Sequence, residues 1–291
     1  MKFSNVRLLV KDYKKCFVAV MIVAGVLSCD KVNKPYRIVG GKAAECDTPS
    51  FPALDDVMQK YLLEDYTGHT CTNCPLAHKT IDDLTAQMGD TLIVIAIHAG
   101  SFAKPEEGGL FSADFRTEAG DAYNKEFNIT AYPSGMINRM LFNGKRTVSY
   151  SNWKNTLAGI ARKPADIGIQ IMLEDNGENT CIFVKTSLLS DVSETLRLCV
   201  FITENNIISP QKNGSKVDTD YVHNHVLRTS LTPVWGDNIE ISAKNESLIK
   251  GYSVDFKGKD WKKENCYIVV FVYNLDTKEI LQVEEIKAEI G

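Results

Sequence analysis

The sequence predicts an α/β domain followed by an all-β domain, behind an N-terminal export signal. Three observations lead there. Between residues 51 and 163, strand and helix patterns alternate around one unbroken apolar run, residues 91–97. After Pro164 the texture changes to short β-rich segments parted by Gly, Asn, Asp and Pro turns. The first 28 residues join a basic start to a short apolar stretch.

Lys2, Arg7, Lys11, Lys14 and Lys15 make the basic start, and residues 16–27 carry no charge. That stretch fits a secretory signal and is too short to span a membrane as a helix. It ends in Val26-Leu27-Ser28-Cys29, which resembles a bacterial lipobox. Residues 1–28 are therefore expected to be a lipoprotein signal peptide, with lipid attached at Cys29. The chain carries a net charge of -4. Removing residues 1–28 takes away five positive charges and one negative, which leaves -8. An acidic body held by an acyl anchor suits a tethered soluble domain and argues against nucleic acid as a partner. Residues 29–50 are polar and read as a tether. The run RIVGGKAAE within it resembles a serine-protease activation peptide. The histidine and serine loops such a protease needs are missing, so that reading is rejected.

The α/β domain spans residues 51–163. Residues 57–66 carry Tyr61-Leu62-Leu63, and Thr67-Gly68 breaks the run. Residues 74–88 read as a helix with Leu76, Ile81, Leu84 and Met88 as its apolar stripe. Residues 91–97 fit a strand buried on both faces, which gives a right-handed βαβ unit. An insert follows at 98–128, with a helical second half at 113–127. Residues 136–142 and 146–150 flank Asn143-Gly144, a hairpin signal. A closing helix is expected at 151–162.

The all-β domain spans residues 164–291. Strands are expected at 167–173, 180–188, 195–203, 238–243, 248–256, 266–274 and 280–287, in an antiparallel sandwich. The chain has eight cysteines. Cys16 leaves with the signal and Cys29 is lipidated, so six remain in a compartment where disulfides persist. Residues 180–188 and 195–203 read as hairpin strands, which makes Cys181 and Cys199 a candidate structural disulfide.

The order of the first domain resembles thioredoxin. A strand leads to Cys71-x-x-Cys74 at a helix N-terminus, then a second buried strand, then Tyr132-Pro133 before a hairpin and a last helix. The resemblance implies a cis proline against the cysteines and a buried acid six positions before the first, which is Asp65 here. The sequence departs from thioredoxin in having Thr70 in place of tryptophan and Thr72-Asn73 between the cysteines. The second domain is expected to be an immunoglobulin-like sandwich. Across the whole mature chain, the lipobox, EDYTGHTCTNCP, IAIHAG, AYPSG, YVHNHVLR and a WG pair resemble the 28-kDa outer-membrane lipoprotein family of Bacteroidetes. This resemblance implies a lipid-anchored protein of the cell outer membrane, on its periplasmic or surface face.

The stretch EDYTGHTCTNCPLAHK admits three chemistries. In the redox reading, Cys71 at a helix N-terminus attacks a disulfide and Cys74 resolves it. Asp65 takes the Cys74 proton, protonated His69 lowers the Cys71 pKa, and Pro133 aligns the substrate strand. The partners are then protein thiols and disulfides. In the metal reading, His69, Cys71, Cys74 and His78 supply enough ligands for zinc. Four-way convergence across a turn and a helix is hard, so no metal and no cofactor is expected. In the third reading the disulfide is structural and the protein is a non-catalytic surface binding or adhesion module. His98 ends the buried strand where α/β ligand sites gather. His223 and His225 read as a satisfied or solvent-facing pair, and Trp235 and Trp261 as core or rim.

Overall fold

The structure is a computed structural model that describes residues 46–54 and 56–289. The expected signal peptide, the Cys29 attachment point and most of the 29–50 tether lie outside the described residues.

Alternation of apolar strands with amphipathic helices yields β1 (Tyr61–Thr67), α1 (Cys74–Met88), β2 (Leu92–His98), α2 (Glu118–Glu126), β3 (Ser134–Ile137), β4 (Thr147–Val148) and α3 (Trp153–Gly159). The strand-rich remainder begins with β5 (Ile167–Asp175), β6 (Thr180–Leu188) and β7 (Leu196–Glu204). Four short strands follow: β8 (Ile207–Ile208), β9 (Gln211–Asn213), β10 (Lys216–Asp218) and β11 (Val222–His223). The last five are β12 (Val226–Ser230), β13 (Asp237–Ile239), β14 (Ser247–Val254), β15 (Cys266–Asn274) and β16 (Ile280–Lys287).

β1 and β2 run parallel, joined by α1, with Tyr61 opposite Leu92 and Thr67 opposite His98. β3 pairs antiparallel to the other edge of β1. Every residue of β2 is buried, which explains its unbroken apolar run. The largest sheet does not stop at β2. β12 pairs parallel to it at Val226 and Ala96, and antiparallel to β7, so the order is β16-β15-β7-β12-β2-β1-β3-β4. β13 pairs with the other half of the β7 edge. A separate three-stranded sheet has the order β14-β6-β5.

Side-chain alternation gives the large sheet two apolar faces. One face presents Leu62, Tyr66, Ile93, Ile95, Phe201 and Phe271 to α2 residues Ala119 and Tyr123. On the opposite face, Leu63 and Val94 meet α1 and α3, and Val200, Ile202 and Val270 meet Ile182 and Val184 of the three-stranded sheet. α1 buries Ala77, Ile81 and Leu84, whereas Leu76, expected on its stripe, is half exposed.

The Asn143-Gly144 turn forms, with φ of 52° and 77° and paired backbone bonds between Phe142 and Lys145. The strand before it does not continue. Asn138 and Arg139 take φ of 46° and 53° in a tight turn closed by Met140 N donating to Ile137 O at 3.0 Å, and this turn points Arg139 inward. Its guanidinium is fully buried and grips Glu64 of β1 through two bonds of 2.8 and 2.7 Å. Tyr123, Phe127, Phe271 and Tyr273 surround it with ring centroids 4.5–5.4 Å away.

The expected Cys181–Cys199 disulfide does not form. β6 and β7 are not a hairpin but belong to different sheets, and Cys199 points to the α2 side of β7, away from β6. Cys181 pairs with Cys46 instead, with Cα atoms 6.3 Å apart. Cys199 and Cys266 are buried thiols whose pKa values burial pushes up to about 12.

Candidate functional site

The C-terminal end of β1 delivers the chain to Gly68, where a side chain is excluded. A Cβ there would stand 2.5 Å from the Phe102 backbone. Thr70 then donates its backbone N–H and its hydroxyl to the Phe102 carbonyl at 3.0 and 2.9 Å. The chain turns through Thr72-Asn73 into α1, which Cys74 opens with Pro75 in its first turn. Cys71 and Cys74 are joined as a disulfide, with Cα atoms 5.5 Å apart.

Asp65 lies on the α1 side of β1, fully buried, and neither carboxylate oxygen has a hydrogen-bond partner. His78 is four residues after Cys74, so both project from one face of α1. His78 Nε2 is 3.5 Å from Asp65 Oδ2 and 3.0 Å from Thr67 Oγ1. Asp65 therefore sits beneath the first turns of α1. The Tyr132–Pro133 peptide is cis. Pro133 precedes Ser134, which pairs with Tyr66, so the proline stands at the sheet edge from which the cysteine turn departs.

The disulfide is covered. Cys71 is 2% exposed and Cys74 fully buried. The cover is the β9–β10 hairpin from the distant strand-rich region. Lys212 N donates to His69 O at 2.8 Å, and Gly214 N donates to Thr72 O at 2.9 Å. The buried Gln211 side-chain amide donates to Cys71 O at 2.9 Å.

His69 does not meet the requirement of a cation beside Cys71. It is buried, stacks on Phe111 at 5.5 Å, and its Nε2 bonds the Lys104 carbonyl. Burial lowers its pKa, so the ring is neutral. His98, at the end of β2, faces His223 at 5.6 Å, with Phe115 packed against both. Desolvation holds His98 well below its ordinary value, and pushes His223 down to about 3 and His225 to about 4. All five histidines of the chain thus lie after β1, on α1, at the end of β2, or in the segment entering β12 beside it. Among the described residues no group of three or more His, Cys, Asp or Glu side chains is arranged to hold a metal ion.

Sequence reasoning missed Tyr221, Gln211 and the cover. Their contacts span more than 130 residues, and no local pattern marks them. The histidine spacing after Cys74 was the one available signal for His78. A cavity of about 610 Å³ lies elsewhere, between the start of α2, β12 and the 258–261 turn, lined by Phe115, Arg228, Ser230, Asp260 and Trp261.

Residues 120–290, more than half of the chain, match the family described as outer membrane protein Omp28. The chain belongs to the Omp28 family. Its place is therefore the outer membrane, and no helix among the described residues is long and apolar enough to cross one. The match begins downstream of Cys71 and Cys74, so the family rests on the region from α2 to β16. Among solved structures, HBP35 of Porphyromonas gingivalis shares the fold, with a TM-score of 0.63, 16% identity, and coverage of 79% of this chain and 76% of that one. A domain of the outer membrane lipoprotein Omp28 from Porphyromonas gingivalis matches at 24% identity over 42% of this chain and 88% of that one, with a TM-score of 0.31. An Agrobacterium tumefaciens protein, AGR_C_4864, matches at 10% identity over 82% and 98%, with a TM-score of 0.48. No curated protein sequence matches this Omp28 family member.

Proposed function

We propose that this Omp28 family member is anchored by lipid at Cys29 and carries out thiol–disulfide exchange through Cys71 and Cys74. In this reading residues 51–163 are a thioredoxin-like unit and residues 164–291 an immunoglobulin-like sandwich. The observation that carries it is the cysteine pair at the head of α1, over a fully buried Asp65 whose carboxylate accepts no hydrogen bond. A buried carboxylate that accepts no hydrogen bond is costly, and such groups cluster at functional sites.

In the reduced protein, the Cys71 thiolate attacks one sulfur of a substrate disulfide. The other substrate sulfur leaves as a thiolate and takes a proton from water. Cys74 then gives its proton to Asp65 and attacks Cys71 Sγ. The Cys71–Cys74 bond re-forms, the second substrate sulfur leaves, and two electrons have passed to the substrate. Run backwards, the same steps oxidise a substrate dithiol. The test is exchange of the reduced chain with a model protein disulfide. Cys71→Ser is expected to abolish it, and an unchanged rate would refute the reading.

A second reading has one observation in its favour. The hairpin covers Cys71, which suits a structural disulfide within a non-catalytic surface binding module. Binding of a ligand that survives the double change Cys71→Ser and Cys74→Ser, in a chain that exchanges no disulfides, supports that reading instead.

A further inference from the structure

The exchange reading leaves one proton unaccounted for. If Asp65 accepts the Cys74 proton, that proton must leave a fully buried site before the next turnover. A polar path leads outward from the carboxylate. His78 Nε2 is 3.5 Å from Asp65 Oδ2, and His78 Nδ1 is 2.7 Å from the Tyr221 hydroxyl. The His78 side chain keeps 17% exposure, and Tyr221 is partly exposed beyond it.

We propose that His78 carries the proton between Asp65 and solvent, with Tyr221 as its outer partner; the inference rests on the exchange reading. An imidazole suits this work because its two nitrogens face opposite ends of the path. When the neutral ring carries its proton on Nδ1 and donates it to the Tyr221 hydroxyl oxygen, Nε2 keeps a free lone pair toward Thr67 and Asp65. When Nε2 takes up a proton from the Asp65 carboxyl, both nitrogens are donors, and Nδ1 releases its own through the Tyr221 hydroxyl to water. One proton enters and one leaves, so the balance of the exchange reaction is untouched. The 3.5 Å separation exceeds a good hydrogen bond, so transfer requires a small ring rotation.

The groups facing His78 fit the role. β1 presents Asp65 and Thr67, α1 presents Asp82 one turn on, and the segment after β10 presents Tyr221. Burial, then Asp82, Asp65 and Asp218, hold the Tyr221 pKa above its ordinary value, so its hydroxyl keeps its proton. His98, His223 and His225 feel the His78 charge but are themselves held neutral by burial, so they do not compete.

The test uses the full chain, reduced, against a model protein disulfide across pH 5–9, with the resolving step followed in single turnover. His78→Gln is expected to slow resolution about a hundredfold, the low end of what positioned proton transfer contributes, and to remove one inflection from the pH profile. Tyr221→Phe removes one hydroxyl with little change in shape, and is expected to shift the same inflection. It keeps the proposal testable if His78→Gln folds poorly. Exchange by the wild type with unchanged rate and profile in His78→Gln or Tyr221→Phe overturns the relay and leaves the exchange reading standing. A wild type that exchanges nothing overturns both.

Discussion

The Gln211 side-chain amide donates to the Cys71 carbonyl at 2.9 Å across 140 residues of sequence. With Lys212 and Gly214 it holds a hairpin of the strand-rich region over the disulfide of the α/β region. Access to Cys71 therefore depends on how often that hairpin lifts. Gln211→Ala removes this bond while leaving the two backbone bonds in place. A neutral hydrogen bond contributes about 0.5–1.5 kcal/mol net, so alkylation of Cys71 in the reduced chain is expected to speed up about two- to thirteenfold. Alkylation at the wild-type rate would show that Gln211 does not govern access.

The Glu64–Arg139 pair is dry, bidentate and enclosed by aromatic rings. Removing one partner strands the other charge in the core. Arg139→Leu is expected to cost about 3–5 kcal/mol in urea unfolding, as broken buried pairs do. The double change Glu64→Leu with Arg139→Leu is expected to be less damaging than Arg139→Leu alone. A double variant worse than the single one would contradict this.

Cys46–Cys181 closes a loop with a sequence separation of 135 and ties the segment before β1 to β6, the central strand of the three-stranded sheet. Cys46→Ser is expected to destabilise the chain by about 2–5 kcal/mol in guanidinium unfolding, the range for a native bridge. Peptide mapping without reduction is expected to find Cys46 linked to Cys181 and Cys71 to Cys74. Cys199 and Cys266 are expected to react with alkylating reagent only after denaturation. A Cys181–Cys199 peptide would overturn the assignment.

Buried neutral histidines make stability depend on pH. His225 has a folded pKa of about 4 against 6.5 when unfolded, so between those values the unfolded chain binds more protons. Its contribution is complete above pH 6.5 and is lost as pH falls toward 4. His223 acts in the same direction, down to about 3. Glu285, raised to about 7 by burial, acts oppositely, since it favours the folded state as pH falls from 7 toward 4.5. A single variant isolates the histidine effect. His225→Asn tolerates the local φ of 57° and is expected to flatten the fall in urea midpoint between pH 6.5 and 4. An unchanged slope would contradict the assignment.

Much of the α/β region was legible because its signals are local. The β2 run is apolar throughout because both faces are covered, and α1 spans residues 74–88 as its periodicity indicates. Asn143-Gly144 makes its turn for backbone reasons alone. What escaped was set by distant partners. β12 has Arg228 at its centre and only five residues, and it is a strand because β7 and β2 pair with it on either side. Arg139 is buried because the turn at Asn138-Arg139 aims it at Glu64, which no pattern near residue 139 announces. Cys181 and Cys199 face one another only in a β6–β7 hairpin, and the pairing of β6 with β5 and β14 in a separate sheet prevents one. His69 was legible as a neighbour of Cys71 but not as a ring walled in by Phe111 and Phe115.

The most direct test is to trap the reaction halfway. With Cys74→Ser, Cys71 can still attack a substrate disulfide but nothing resolves the product. The reduced variant, mixed with a model protein disulfide, is expected to accumulate a mixed disulfide at Cys71, separable on a non-reducing gel and located by mass spectrometry. A variant that forms no mixed disulfide at Cys71, or forms it no faster than an ordinary exposed thiol, would contradict thiol–disulfide exchange as the work of this site.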